Sequence, residues 1–166
     1  MPPVLRCFTD GAAKSNSKDA CAGWAYFIPK FKLIESGSMR GTNNQAELEA
    51  IRRLLLHLHS IKDKLFSNIC IFSDSKYSIN AITGVNKAKL NKEVIEEIKE
   101  LRSTLGKKVA FEYVEAHTNK DDYLSKCNAV VDKAASEAAS KLKDEKELMK
   151  LREEIAILKN KLDKLK

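Results

Sequence analysis

The sequence predicts an α/β domain. Three observations carry that expectation. Three strand patterns stand in succession near the start, close enough for a meander. Strand and helix patterns alternate after them. Turn-forming residues then run out: the last Pro is Pro29 and the last Gly is Gly106, so the final third reads as helix.

Each element has a local signal. Val4–Asp10 reads as a strand ending at Gly11, and Ala12–Asp19 as a loop of small, polar and lysine residues. Ala20–Ile28 is a second strand, with Trp24, Tyr26 and Ile28 alternating on one face. Ile28-Pro29-Lys30 suits a turn, and Lys32–Arg40 is a third strand. Asn44–Leu65 reads as a long amphipathic helix, with Leu48, Ile51, Leu55 and Leu58 at helical spacing. Asn68–Ser73 is a strand, and Lys76–Thr83 a short helix stopped by Gly84. Glu93–Leu105 is helical, with Val94, Ile98, Leu101 and Leu105 on one side and Gly106 as its stop. Val109–Val114 is the last strand. Helix is expected from Asn128 to the end.

Composition excludes several classes. The chain has 166 residues, 43% apolar and 32% charged, which is too apolar for a disordered chain and long enough for a core. No run of about 18 apolar residues exists, so no membrane-spanning helix is expected. Cys7, Cys21, Cys70 and Cys127 form no C-x-x-C pair, which argues against a zinc knuckle or a thioredoxin motif. The start, Met1-Pro2-Pro3-Val4, lacks a basic-then-apolar leader, so an intracellular setting, cytoplasm or nucleus, is expected. The net charge is +7, of which residues 141–166 carry +3. A basic domain favours polyanionic partners.

The carboxylates say more than the net charge. Two strands end alike, in Phe8-Thr9-Asp10-Gly11 and Phe72-Ser73-Asp74-Ser75. If those strands lie parallel in one sheet, Asp10 and Asp74 sit side by side at its C-terminal edge, where open α/β sheets place ligands. Glu47 shares a helix face with Ile51, Leu54 and Leu58, so it points inward with the apolar stripe. A capping box from Asn44 to Glu47 would explain a first-turn Glu but not an inward one. Asp132 opens the Ala-rich helix, where the helix dipole alone would favour an acid. Converging carboxylates repel and need cations. Hard oxygen ligands suit Mg²⁺ or Mn²⁺. Four of them can hold two ions, the arrangement for in-line phosphodiester hydrolysis.

Thr9-Asp10-Gly11, Thr42-Asn43-Asn44-Gln45-Ala46-Glu47, Ser73-Asp74-Ser75-Lys76-Tyr77, Ala116-His117-Thr118-Asn119, and Asn128 with Asp132 occur in that order. The set resembles ribonuclease H of type 1 over roughly residues 4–140. The resemblance implies an RNase H-like fold, a five-stranded mixed sheet flanked by helices. It implies that Asp10, Glu47, Asp74 and Asp132 bind two Mg²⁺ ions, with Mn²⁺ as a substitute. It implies endonucleolytic cleavage of the RNA strand of an RNA·DNA hybrid, leaving 5′-phosphate and 3′-hydroxyl ends. In that reading His117 lies on a mobile loop and assists proton transfer or product departure. His57 and His59 match no motif and read as ordinary surface or core-edge residues.

Substrate contacts follow in the same terms. By resemblance, Asn16, Asn43, Asn44 and Gln45 line the minor groove of the hybrid, where paired donors and acceptors suit 2′-hydroxyls. Arg40, Thr42 and Asn91 match a pocket for a phosphate of the DNA strand. Lys14, Lys18, Lys76, Lys87, Lys89 and Lys120 are further candidates for tracking the backbones. Without the four site carboxylates, residues 1–140 would carry +8. Two rivals share these residues: a silent hybrid-binding module, and a DNA nuclease or resolvase on the same fold.

The sequence departs from the family pattern in three places. Gly84–Leu90 replaces the usual basic, Trp-containing helical protrusion. Ala116 and Asn119 stand where glycines flank the loop His, and Lys120-Asp121-Asp122-Tyr123 lengthens the loop to Asn128. Beyond a catalytic part at residues 1–142, a tail at 143–166 carries a heptad seam. Leu148, Ile155 and Leu162 occupy a, and Leu151, Leu158 and Leu165 occupy d. Upstream, Ala134, Ala135, Ala138, Ala139 and Leu142 form a domain-facing surface. A parallel homodimer is favoured over a lone helix packed on its own domain. Across such a dimer Glu147–Arg152 and Glu154–Lys159 attract, while Lys161–Lys166 repel. A third rival makes this tail the function, in an assembly protein.

Overall fold

The computed structural model describes residues 3–65, 67–118 and 120–165. Met1 and Pro2 of the start, Asn119 of the His117 motif and Lys166 of the tail lie outside them. Five strands form one sheet: β1 (Val4–Ala13), β2 (Cys21–Ile28), β3 (Leu33–Arg40), β4 (Asn68–Ser73) and β5 (Val109–Tyr113), in the order β3-β2-β1-β4-β5. The first three are antiparallel neighbours, while β4 and β5 join parallel to β1. This is the expected meander followed by crossover units, and so the expected mixed sheet. Four helices cover it: α1 (Asn43–Ser60), α2 (Lys76–Thr83), α3 (Lys92–Thr104) and α4 (Tyr123–Lys164).

Three boundaries differ from the sequence reading by three residues or more, each for a local reason. Gly11 does not end β1, because Gly11, Ala12 and Ala13 go on pairing with Trp24, Gly23 and Ala22 of β2. α1 stops at Ser60 rather than Leu65, and a 3₁₀ turn at Lys62–Lys64 completes the segment. α4 starts five residues before Asn128. Asp122 caps it, its carboxylate accepting the Ser125 N–H at 2.8 Å. Much of the apparent loop insertion is therefore helix cap and first turn. Asp132 lies well inside α4, which removes the first-turn explanation for it.

Two apolar layers sandwich the sheet. On one side Leu48, Ile51, Leu54, Leu55 and Leu58 of α1 meet Ile95 and Ile98 of α3 and the inner residues of the strands. Each of the five α1 residues is fully buried, worth roughly 1.5–3 kcal/mol apiece relative to exposure. His59 ties α1 to α3, its Nε2–H donating to the Leu101 carbonyl at 2.8 Å, and the His57 ring lies against Tyr26. Both are structural, as expected. On the other side Cys127, Val131 and Ala135 of α4 pack on Phe8, Ala25 and Phe72. All four cysteines are free thiols and buried.

The alanine stripe of α4 has a steric cause. A β-carbon on Gly23 would stand 2.7 Å from the Ala139 nitrogen and 2.8 Å from the Ala138 β-carbon. Helix backbone and strand backbone touch there, so only small residues fit on either partner. Ser38 secures the contact by donating to the Ala138 carbonyl at 2.7 Å.

α4 crosses the expected 142/143 boundary without a break. Past Ala139 no described residue of it is buried. Leu148, Leu151, Ile155, Leu158 and Leu162 are 49–63% exposed. The seam does not pack on its own domain. No described helix is long and apolar enough to cross a membrane.

Candidate active site

The parallel pairing of β1 and β4 sets Phe8 opposite Phe72. Two residues further along each chain stand Asp10 and Asp74. β4 stops at Ser73, but β1 continues, held to β2 with Asp10 opposite Ala25. Asp10 is thus fixed within a strand, whereas Asp74 occupies the bend before α2. Ser75 starts that helix by accepting the Ser78 N–H.

Glu47 arrives from the helix layer. Thr42 caps α1 with Gln45 in a reciprocal box: the Thr42 hydroxyl accepts the Gln45 N–H at 3.2 Å, and the Thr42 N–H donates to Gln45 Oε1 at 2.8 Å. The Asn44-to-Glu47 box considered from sequence does not form, nor does Asn43 or Asn44 cap the helix. Glu47 is left free to turn inward, where it is 3% exposed. One carboxylate oxygen from each of Asp10, Glu47 and Asp74 lies within 4.8 Å of the others.

The triad is electrostatically poised for cations. Burial, then the neighbouring Asp74 charge, pushes the Asp10 carboxyl up to about 8, even though it accepts the Gly11 N–H at 2.9 Å. Burial, then Asp10, holds Glu47 well above the usual carboxylate range. Glu47 Oε2 is buried with no hydrogen-bond partner among the described residues. A buried acceptor without a donor is costly. An all-oxygen donor set with an orphaned oxygen fits a hard divalent cation such as Mg²⁺ or Mn²⁺.

The fourth expected carboxylate stands beside the triad rather than in it. Asp132, on α4, is close enough to raise the Asp10 pKa. Its Oδ2 faces His117 Nδ1 at 3.8 Å. His117 is 77% exposed and sits in the left-handed region at φ 52°. Its loop is anchored to the start of α4, where Thr118 donates to Ser125 and Ser125 to Asp122. The site thus draws Asp10 and Asp74 from the sheet edge, Glu47 from one helix layer and Asp132 from the other.

A groove of about 690 Å³ opens at the start of α1. Thr42, Asn44, Gln45 and Asn91 line it, together with Lys18, Lys87 and Lys89. Asn91 takes φ 61° as the residue before α3 and donates to the Tyr77 hydroxyl at 3.1 Å. Tyr77 donates in turn to the Leu90 carbonyl. Tyr77 thereby positions Asn91, a relation absent from the sequence reading because it joins residues 14 apart across two helices. Asn16, between β1 and β2, and Asn43, the first residue of α1, are exposed. Lys76 lies over the Tyr113 ring at 4.8 Å, away from this groove's lining. Arg40 lines a different groove, with Lys143, Lys146 and Lys150 of α4. One groove therefore brings Thr42 and Asn91 together, and Arg40 lines the other.

Known proteins resemble this chain in sequence and fold. The RNase H family model matches residues 3–140. A ribonuclease H of Tropheryma whipplei (strain Twist) is 31% identical over 145 residues, covering 80% of this chain and 82% of the relative. A ribonuclease H1 isolated from compost, LC11-RNase H1, superposes with a TM-score of 0.67 at 26% identity, over 83% of this chain and 96% of that one. The same enzyme solved with an RNA/DNA hybrid gives 0.66, also at 26% identity, over 83% and 98%. The match spans sheet, carboxylates and both helix layers and ends where the tail begins, so the chain belongs to the ribonuclease H family.

Proposed function

We propose that this chain hydrolyses the RNA strand of RNA·DNA hybrids with two Mg²⁺ ions held by Asp10, Glu47, Asp74 and Asp132, leaving 5′-phosphate and 3′-hydroxyl ends. The observation that carries the reading is the convergence of three carboxylates, two of them buried, with a groove of amides and lysines at the start of the helix that carries Glu47. The intact triad speaks against a silent binding module. Bound cations would supply activation of the attacking water and stabilisation of the leaving oxygen.

The remaining parts come from the chain itself. Asp10 and Glu47 are held by strand pairing and by the capped helix, so they need little reorganisation to present their oxygens. Asn43, Asn44 and Asn16 offer amides to 2′-hydroxyls on the RNA strand. Gln45 has its Oε1 committed to Thr42, so its amide nitrogen is what remains for substrate. Asn91, Thr42, Lys87 and Lys89 receive a phosphate of the DNA strand, and Arg40 extends that contact toward the tail. His117, with Nδ1 toward Asp132, keeps Nε2 for moving a proton at the site's open side. Residues 1–142 form the catalytic unit in this reading, and the helix beyond is an addition.

The test uses labelled RNA·DNA hybrid, RNA duplex and DNA duplex with Mg²⁺, for wild type and Asp74→Asn. RNA is expected to be lost from the hybrid alone, and not by the variant. Cleavage of DNA duplex, or equal activity in Asp74→Asn, sinks the proposal.

A further inference from the structure

The tail poses a physical problem that the nuclease reading does not absorb. A helix whose leucines are half exposed needs something to hold it. Ion pairs along its own surface do not: among the described residues no salt bridge forms past Glu137. The domain does not either, because the seam is exposed along its length. At about 100° per residue, the seam of Leu148, Leu151, Ile155, Leu158, Leu162 and Leu165 points roughly opposite the face that packs on the sheet, formed by Asn128, Val131, Ala135, Ala138 and Ala139. A partner helix can approach the seam without meeting the domain.

We propose that two copies of this chain pair in parallel through the Leu148–Leu165 seam. Charge along the flanks of the seam fits a second copy as the occupant. In a parallel pair Glu147 faces Arg152 of the second copy and Glu154 faces Lys159, with Lys161 against Lys166 as the one repulsion, and two-fold symmetry makes each contact twice. An antiparallel pair in the register that overlays the two seams would set Arg152 against Lys159 but Glu154 against Lys161 of the second copy, so direction rests on the seam residues. Ile155 at a with Leu151 and Leu158 at d packs best in two strands. Because seam and sheet-packing face are opposed, the two domains fall on outward sides of the helix pair. Both carboxylate clusters stay open, and one particle carries two sites.

Two measurements test this on the full chain. Sedimentation equilibrium at micromolar concentration is expected to give twice the 18.7 kDa chain mass. Leu151→Glu with Leu158→Glu is expected to return it to monomer while the thermal transition of the domain stays in place. Ile155→Cys is expected to form an intermolecular disulfide under mild oxidation, because a positions face each other across a parallel pair. The native cysteines are buried and do not compete. A monomeric wild type, a trimer or larger species, a dimer that survives the double variant, or an Ile155→Cys chain that does not cross-link would each overturn the proposal.

Discussion

Gly11 packs its bare α-carbon against the backbone of Glu47. A β-carbon there would lie 2.8 Å from the Glu47 α-carbon and closer still to its amide nitrogen. The glycine after the strand aspartate is therefore a spacer. It lets the first turns of α1 come near enough to β1 for Glu47 and Asp10 to share one site.

Gly11→Ala is expected to push α1 away from the strand. Overpacking of this kind costs about 1–3 kcal/mol, read as a lower thermal transition, and hybrid cleavage should fall by far more than stability. Gly84→Ala is the control. Its φ of 81° makes an alanine strained by about 1 kcal/mol with open space around it, so stability should drop while activity persists. Retained activity in Gly11→Ala would show that the close approach does not set the site.

The metal-free protein should lose stability as pH rises. Asp10 titrates at about 8 in the fold against an ordinary 3.8, so between these values the native state holds a proton that the unfolded chain has released. Stability from this group is full below the lower value and declines through the upper one, by at most about 1.4 kcal/mol per pH unit. Glu47, also raised, acts in the same direction. A cation offsets the charges once they form. Thermal scans should show a larger Mg²⁺-induced rise at pH 8 than at pH 5, and Asp10→Asn should flatten the metal-free profile. Equal shifts at both pH values would contradict this account.

His117→Ala should slow single-turnover cleavage by about 10²-fold or more, in the range for loss of an acid/base group, with hybrid affinity unchanged. Its contact with Asp132 is exposed, so stability should move by under about 0.5 kcal/mol. A variant with full rate and weaker binding would assign His117 to substrate contact instead.

Tyr77→Phe removes the acceptor for Asn91 and the donor to Leu90. The groove should loosen without disturbing the carboxylates. KM for hybrid is expected to rise several-fold with kcat nearly constant, and Asn91→Ala should add little on the Tyr77→Phe background. Full additivity of the two would mean that Tyr77 does not position Asn91.

Local pattern made much of this molecule legible. Periodicity in residues 48–58 marked the α1 core face, and matched Phe-Thr-Asp and Phe-Ser-Asp strand ends marked Asp10 and Asp74. The inward place of Glu47 followed from its register with Ile51, Leu54 and Leu58. These inferences succeeded because strands and helices impose fixed side-chain directions on neighbouring residues. Caps were harder. From sequence Asn44 offers a cap for α1 and Asn128 a start for α4, whereas Thr42 and Asp122 cap the two helices, because several small polar residues satisfy the same orphan N–H groups.

Long-range relations had no local pattern to mark them, and the family resemblance alone brought Asp132 and His117 to the site. That Asp132 stands beside the triad with His117, that Arg40 lines a groove with the lysines of α4, and that Tyr77 holds Asn91 depend on how separate elements pack. So does the outward direction of the heptad seam. Its apolar spacing is written in the chain, but only the docking of the alanine stripe on Gly23 decides which way the leucines point. Periodicity specifies a face relative to its own helix axis; packing against the sheet sets the rotation of that axis, and with it what the face meets.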